Sequence, residues 1–218
     1  KEASLANSFG LNPNYTLSFY TKERVNPWES VTEKTEAVFD TRDLKLGESK
    51  FYFKDRIALS NFNRKEVSSS DYSQGRLDTY NELSYPTNLI ARWLAFKPFI
   101  GNRQSWYSRG ASGDEDLWRG IFYIGSDLST RFYRVFDIES NFLNLDIHKL
   151  KHTVNPTIQY KYTHAPTVSP SKLHNFDAID SIEESNVATL SIENKLQTKR
   201  KEKDKERVVD LARFVTSA

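Results

Sequence analysis

The stretch Lys151–Tyr162, KHTVNPTIQYKY, decides the fold class, because its residues divide cleanly between two faces. Val154, Pro156, Ile158, Tyr160 and Tyr162 fall on one side, and Thr153, Asn155, Thr157, Gln159 and Lys161 on the other. A repeat of two is that of a β-strand with one apolar and one wet face. Val187–Gln197 repeats it, with Ala188, Leu190, Ile192 and Leu196 opposite Thr189, Ser191, Glu193, Lys195 and Gln197. Between the two lies HAPTVSPSKLHNFDAIDSIEESN, too polar and too rich in Pro and Ser for a strand. Loops of that length inside a compact domain are uncommon and usually functional.

The same alternation recurs along the chain. Asn14–Arg24 predicts a strand with Tyr15, Leu17 and Phe19 on one face, and Thr35–Leu44 a weaker one. After the turn Leu46-Gly47-Glu48, Lys50–Asn61 sets Phe51, Phe53, Ile57 and Leu59 against Tyr52, Lys54, Arg56, Ala58 and Ser60; Asp55 falls on the apolar side. Arg76–Tyr85 sets Leu77, Leu83 and Tyr85 opposite Arg76, Asp78, Glu82 and Ser84. Trp93–Tyr107 returns after Pro86-Thr87-Asn88, and its Pro98, with no N–H for a ladder, marks a bulge or a rim. Trp118–Phe136 reads as the longest strand, Ile138–Lys149 as an intermediate connection, Lys199–Arg207 as a charged turn, and Val208–Val215 as a last strand of ambiguous face. That is roughly nine strands and no helix.

Hydrophobic residues make up 38% of the 218, yet aromatics reach 13% and charged residues 28%. Disorder is poor in rings, so low hydropathy here points instead to a wall in which only alternate residues are apolar. The net charge of +2 gives no electrostatic case for nucleic acid. There is no cysteine, hence no thiol chemistry, and no apolar run of the length of a transmembrane helix. The chain starts at Lys1 and contains no Met, which leads us to expect a piece of a longer product.

Connections near 25–33, 63–74, 108–117 and 164–186 read as long and polar, and those near 45–48, 86–89 and 200–206 as short. Trp93, Trp106, Tyr107, Trp118, Phe132, Tyr133, Tyr160 and Tyr162 gather near strand ends. Both features belong to outer-membrane barrels, with long outer loops, short periplasmic turns and interfacial rings. The expectation is an all-β antiparallel up-and-down meander over residues 1–218, forming a curved, open segment of a large transmembrane β-barrel in one domain.

Lys151–Lys199 also resembles the LptD family, the lipopolysaccharide-assembly or organic solvent tolerance proteins of the Gram-negative outer membrane. HTVNPTIQYKY is similar to a family strand with "L-x-P" followed by alternating Tyr. FDAIDSIEESNVATLSIENKL is similar to its "D-x-I-x-x-x-N-x-V-T-x-G" return into the next strand, with Ser191 where the family has a small Gly. The resemblance implies a barrel that moves lipopolysaccharide into the outer leaflet. It further implies contact with outer-membrane lipids, a lumenal lipoprotein plug like LptE, and a periplasmic transport bridge. It transfers no site residue.

Among candidate constellations, His148 and His152 are four apart, a metal spacing only on a helix, whereas the segment reads as strand. His164 and His174 read as solvated loop residues. Asp177, Asp180, Glu183 and Glu184 form an acidic loop cluster, read as hydrated, with divalent-cation binding as the alternative. Lys199–Arg207 interleaves its basic residues with Glu202, Asp204 and Glu206 and reads as a water-facing turn. Arg76, Lys97, Arg119, Arg131 and Lys161 occupy wet faces. There they are expected to pair across strands with Asp78, Glu82 or Asp127, or to meet the sugar-phosphate of a passing lipid.

No Gly-x-Ser-x-Gly, phosphate-binding glycine loop or cysteine nucleophile is present. No catalytic, cofactor-binding or metal residue is therefore assigned, no cofactor is expected, and substrate-binding residues stay unassigned. Lipopolysaccharide assembly without enzymatic activity, in the cell outer membrane, is the leading expectation. Another outer-membrane barrel (a porin or receptor), a soluble β-rich carbohydrate-binding module and an outer-membrane lipid hydrolase stand as alternatives.

Overall fold

A computed structural model describes residues 2–12, 14–26, 28–67, 71–90, 93–141, 147–202 and 205–218. They form β1 (Glu2–Asn12), β2 (Tyr15–Arg24), β3 (Val31–Thr41), β4 (Leu44–Lys45), β5 (Tyr52–Lys65), β6 (Tyr72–Ser84) and β7 (Thr87–Leu89). There follow β8 (Leu94–Arg109), β9 (Glu115–Thr130), β10 (Phe132–Ser140), β11 (Ile147–Thr163), β12 (Ser185–Glu202) and β13 (Lys205–Ser217). The fold is all-β, and the sole helical element among the described residues is a 3-10 turn at Pro170–Lys172. No helix among them is long and apolar enough to cross a membrane, a statement that leaves strands untouched. The 13 strands form one sheet in the order β1-β2-β3-β5-β6-β8-β9-β11-β12-β13, with β4, β7 and β10 pairing β5, β8 and β11 off that path. Neighbours run antiparallel in an up-and-down meander, and β1 and β13 end the order without closing on each other.

The chain divides into two compact units. The first comprises Lys1–Tyr85, Pro98–Gly125 and Lys161–Asn186. Its register puts like with like in rows across the strands. Asn7, Phe19, Ala37, Leu59, Leu77 and Trp106 are successive partners, and so are Phe9, Leu17, Phe39 and Ile57. One residue away, the rows on the other face read Glu36, Ser60, Arg76, Tyr107, then Val38, Ala58, Asp78, Ser105, then Asp40, Arg56, Tyr80, Arg103. Several large apolar side chains on one face are exposed while some charged ones on the other are covered. Leu59 is 59% exposed and Ile124 54%, while Arg76 is 1% and Arg119 0% exposed. Charged residues are almost never fully buried unless paired, so the polar face must supply partners.

The second unit comprises Pro86–Lys97, Ser126–Tyr160 and Val187–Ala218. Ile158, Leu190 and Ile192 are exposed here too, as the alternation predicts for an outward apolar face. On β13 the adjacent Phe214 and Val215 are both exposed, so neither face of that strand is covered. Trp93 packs edge-on against Phe132, at 5.5 Å between centroids, and Thr130 Oγ1 donates to the Trp93 carbonyl at 2.9 Å.

Several sequence expectations are corrected. Glu2–Asn12 is a strand, hidden in the sequence because Ala, Ser, Asn and Gly carry low β propensity and only Leu5 and Phe9 mark its outer face. The long loop expected near 63–74 contracts, since β5 runs to Lys65 and β6 begins at Tyr72; cross-strand pairs such as Asn63 with Ser73 outweigh the polar composition. The connection near 108–117 contracts likewise between Arg109 and Glu115. Trp118–Phe136 is not one strand but β9 and β10, broken at Arg131. Phe132 pairs with Val154, two residues from Pro156, which offers no N–H to the opposite strand. Ile138–Lys149 and Lys199–Arg207 are largely strand: β10 extends to Ser140, and β12 and β13 pair as far as Glu202 with Lys205. Residues 142–146 and 203–204 lie outside the described residues. The turn at Leu46-Gly47 is as expected, with Gly47 at φ 59° and the Ser49 N–H donating to the Leu46 carbonyl at 3.2 Å.

Among the described residues one face exposes apolar side chains and β1 and β13 have no outer neighbour, features that favour association of the chain in water. We expect it to refold into a β-rich monomer in detergent micelles and to associate into β-rich aggregates without detergent, read by circular dichroism and size exclusion. A monodisperse, cooperatively melting monomer in plain buffer would contradict this.

Candidate functional site

The loop at residues 164–184, in the first unit, does not stand out in solvent. It lies back against the polar face of β5, β6, β8 and β9 and closes over Arg76 and Arg119. The fold-back starts where β11 ends: the His164 N–H donates to the Phe122 carbonyl at 2.9 Å and the Thr167 N–H to the Gly120 carbonyl at 3.1 Å. Thr167 Oγ1 accepts from the Gly120 N–H at 2.8 Å, extending the β9 pairing by a few residues. Ser169 then caps the 3-10 turn at Pro170–Lys172, and Leu173 is buried as the loop's apolar anchor. The Lys172 carbonyl accepts from the Ala111 N–H at 2.9 Å beside Gly110. A Cβ on Gly110 would sit 2.6 Å from Leu117 Cδ1 and 2.9 Å from the Lys172 carbonyl oxygen, so only glycine admits this approach.

The sequence Phe176-Asp177-Ala178-Ile179-Asp180 forms the clamp. Arg76 donates through both terminal nitrogens to Asp177, at 2.8 and 2.6 Å, and through one of them to Asp180 at 2.7 Å. Such a bidentate, charge-assisted pair is the strong form of the contact. Asp180 is saturated: the Tyr107 hydroxyl donates to it at 3.1 Å, and the Phe176 and Asp177 N–H groups donate to its other oxygen at 2.9 and 3.3 Å. The Arg76 guanidinium lies 4.7 Å from the centroid of Phe62, which stacks on Phe176 at 4.8 Å. Lys34 adds charge at 3.8 Å from Asp177.

Arg119 holds the loop by its backbone. Its Nε donates to the Val168 carbonyl at 3.0 Å, one terminal nitrogen to the Ile179 and Asp180 carbonyls at 2.9 and 3.2 Å, and the other to the Ile182 carbonyl. Four loop carbonyls thus share one cation, which explains how irregular backbone is accommodated there. His174 stacks on Tyr72 at 4.4 Å. Burial, reinforced by the charge of Arg109, holds the His174 imidazole below its usual value, so it is neutral near neutral pH.

A second polar cluster in the same unit is a cleft of about 720 Å³ lined by Lys54, Arg56, Tyr80, Arg103, Tyr123 and Lys161, with Asp40, Glu183 and Glu184 at its margin. The Arg103 guanidinium lies 5.3 Å from the Tyr80 ring centroid, and Lys161 Nζ 4.3 Å from that of Tyr123.

These positions revise the sequence reading. Arg76 and Arg119 pair with the loop rather than across strands, and Asp177 and Asp180 are not a hydrated acidic cluster but the counter-ions of Arg76. Asp78 receives the Ser105 hydroxyl at 2.6 Å, with Arg103 at 3.8 Å. His174 is packed rather than solvated. In the second unit, Arg131 Nε donates to Asn155 at 3.1 Å, Lys97 lines a separate cleft with Asp127, and Asp127 accepts from Gln159 at 3.4 Å. His148 faces Glu139 at 3.9 Å and His152 faces Asn194 at 3.3 Å, so the two share no common centre. Tyr107, Arg103 and Tyr123 were missed as site residues, although strand parity alone places them on the polar face.

No protein-family model matches the chain, and no curated protein matches it significantly in sequence.

Burial pushes the Asp177 carboxyl up, but the hydrogen bonds and charge of Arg76 outweigh it and hold it below its usual value of 3.8. A depressed carboxylate stabilises the folded-back loop in full above that value, and the contribution is lost as pH falls through the lower, folded one. Protease protection of residues 164–184 should therefore be constant from neutral pH down to about pH 5 and fail only below the ordinary carboxylate range. Protection lost between pH 7 and 5 would contradict the clamp. Arg76→Met strands the buried carboxylate of Asp180 and the half-buried one of Asp177. Breaking a buried pair from one side costs about 3–5 kcal/mol, enough to expose the loop to protease at neutral pH, and wild-type protection in that variant would contradict the assignment.

Proposed function

We propose that this chain is a stretch of wall of an outer-membrane β-barrel that carries lipopolysaccharide to the outer leaflet. Two kinds of observation support the reading at two levels. The inverted faces support the barrel: apolar rows such as Phe19, Ala37, Leu59 and Leu77 face outward, while cations and carboxylates are buried opposite. This is the alternation of a wall with hydrocarbon on one side and an aqueous lumen on the other. The lipopolysaccharide role rests on the resemblance of the strand, loop and strand around FDAID to the LptD family. The observation that supports it is that Asp180, which opens that motif, is one of the two carboxylates that lock the loop onto the wall.

In this reading the work is geometric. The strands satisfy one another's backbone groups, so the wall can stand in lipid. The polar face lines a wide lumen, and the folded-back loop narrows it, leaving charged side chains to meet the hydrophilic part of the cargo. A lipoprotein plug and a periplasmic bridge are the partners this role calls for. A diffusion porin with an inward-folded loop is the competing reading, because a constriction bordered by Arg56, Arg103 and Lys161 also suits a channel.

Depleting the full-length protein from its Gram-negative host should trap newly made lipopolysaccharide short of the cell surface, read by surface labelling. Unchanged surface delivery together with lost solute permeability would instead favour the porin. Leu59→Arg tests the wall itself. An Arg on the lipid face costs about 2–4 kcal/mol at the bilayer midplane, measurable as a lowered denaturant midpoint for folding into vesicles. An unchanged midpoint would mean that Leu59 does not face hydrocarbon.

A further inference from the structure

The five wet-face cations singled out by the sequence are not equivalent. Arg76 and Arg119 are consumed by the loop, the first by two carboxylates and the second by four carbonyls. Cations still able to take a ligand are those of the cleft. The row Asp40, Arg56, Tyr80, Arg103 crosses four strands in register, with Lys54 opposite Glu82 on the next row of the same face. Its carboxylates are mostly engaged. Asp40 sits 3.6 Å from Arg56, Glu82 accepts the Tyr80 hydroxyl at 2.5 Å, and Glu184 accepts the Tyr162 hydroxyl at 3.0 Å. Glu183 at the margin is exposed.

Among the described residues neither Lys54 nor Lys161 has a carboxylate within ion-pair distance. Arg103 Nε is buried without a hydrogen-bond acceptor, as is Arg76 Nε under the loop, and Asp78 Oδ2 near Arg103 is buried without a donor. A buried donor without an acceptor is costly and marks a place where a further group is expected. Two tyrosine rings stand beside the cations, Tyr80 against Arg103 and Tyr123 under Lys161. Gly101 lets the backbone of β6 approach closely, since a Cβ there would lie 2.9 Å from the Asn81 carbonyl.

The geometry points to a site for a phosphate monoester carried on a saccharide, with Arg103, Lys161 and Lys54 taking the phosphate and the rings of Tyr80 and Tyr123 flanking the sugar. Guanidinium and ammonium groups on a partly desolvated wall suit a doubly charged phosphate, and carboxylates at the margin can accept sugar hydroxyls. This deepens the transport reading and rests on it only for the source of the phosphate, a lipid headgroup rather than a free sugar phosphate.

The test uses the full-length protein folded in detergent micelles, titrated calorimetrically with glucose 1-phosphate, glucose, lipopolysaccharide and dephosphorylated lipopolysaccharide. Glucose 1-phosphate is expected to bind, glucose not. Arg103→Gln and Lys161→Gln should each weaken binding at least about tenfold, the loss of one charge-assisted contact, with Lys65→Gln, outside the cleft, as the unchanged control. Far-ultraviolet circular dichroism and loop protection confirm that the variants fold. Glucose binding as tightly as its phosphate, or folded variants binding like wild type, would overturn the site while leaving the transport reading standing. Preference for intact over dephosphorylated lipopolysaccharide supports a lipid source. Binding of glucose 1-phosphate without that preference supports the site and counts against transport.

Discussion

A guanidinium removed from water must find acceptors for its donors, and that requirement organises the first unit. Arg76 lies in the middle of a sheet whose other face is apolar, so it cannot turn outward. Its acceptors come from residues about a hundred positions later, in a loop that would otherwise be hydrated. Once Asp177 and Asp180 are in place, Phe176 is carried onto Phe62 and Tyr107 onto Asp180, and the loop's carbonyls are brought to Arg119. The loop is thus held by the polar face through charge and hydrogen bonds, with Leu173 and Phe176 as its main apolar contacts.

The division between faces was legible in the sequence because a period of two needs no tertiary information. Leu59, Ile57, Ile158 and Leu190 fall on the exposed side as their parity requires. Strand ends were legible only where turn chemistry marked them, as at Gly47. Where polar strands continue, at Asn63–Lys65 and Lys199–Glu202, composition pointed to loop, but partner strands decided otherwise. The clamp was not legible. Asp177 and Asp180 look like any hydrated acidic pair until the register of β6 places Arg76 within reach, and no local pattern encodes a separation of that size. What the sequence did contain was the unusual local order FDAID, in which Asp180 accepts from the N–H groups of Phe176 and Asp177 and so shapes its own turn.

The cations divide into two sets with different consequences. Those covered by the loop are held by its carboxylates and carbonyls and act as structure, although Arg76 Nε is itself buried without an acceptor. Those along the row from Arg56 to Arg103, with Lys54 and Lys161 beside them, keep donors facing open space and an orphaned buried nitrogen. What separates holding from binding is whether loop acceptors already engage the terminal nitrogens, as they do for Arg76 and Arg119. The proposed lumen would be lined by both sets, one fixing the constriction and the other left to greet the cargo.

These 218 residues contain no cysteine, so a cysteine introduced among them, with any elsewhere in the protein replaced, reports on one known position. Single cysteines at Ile57, Leu59, Leu77 and Ile124, and at Lys54 and Arg56, can carry nitroxide labels in the full-length protein reconstituted into vesicles. The account predicts that labels at the first four positions are relaxed by oxygen, which concentrates in hydrocarbon, and that labels at the last two are relaxed by a water-soluble nickel chelate. If the first four were shielded from both reagents, those side chains would lie inside a protein core and the membrane wall would be wrong.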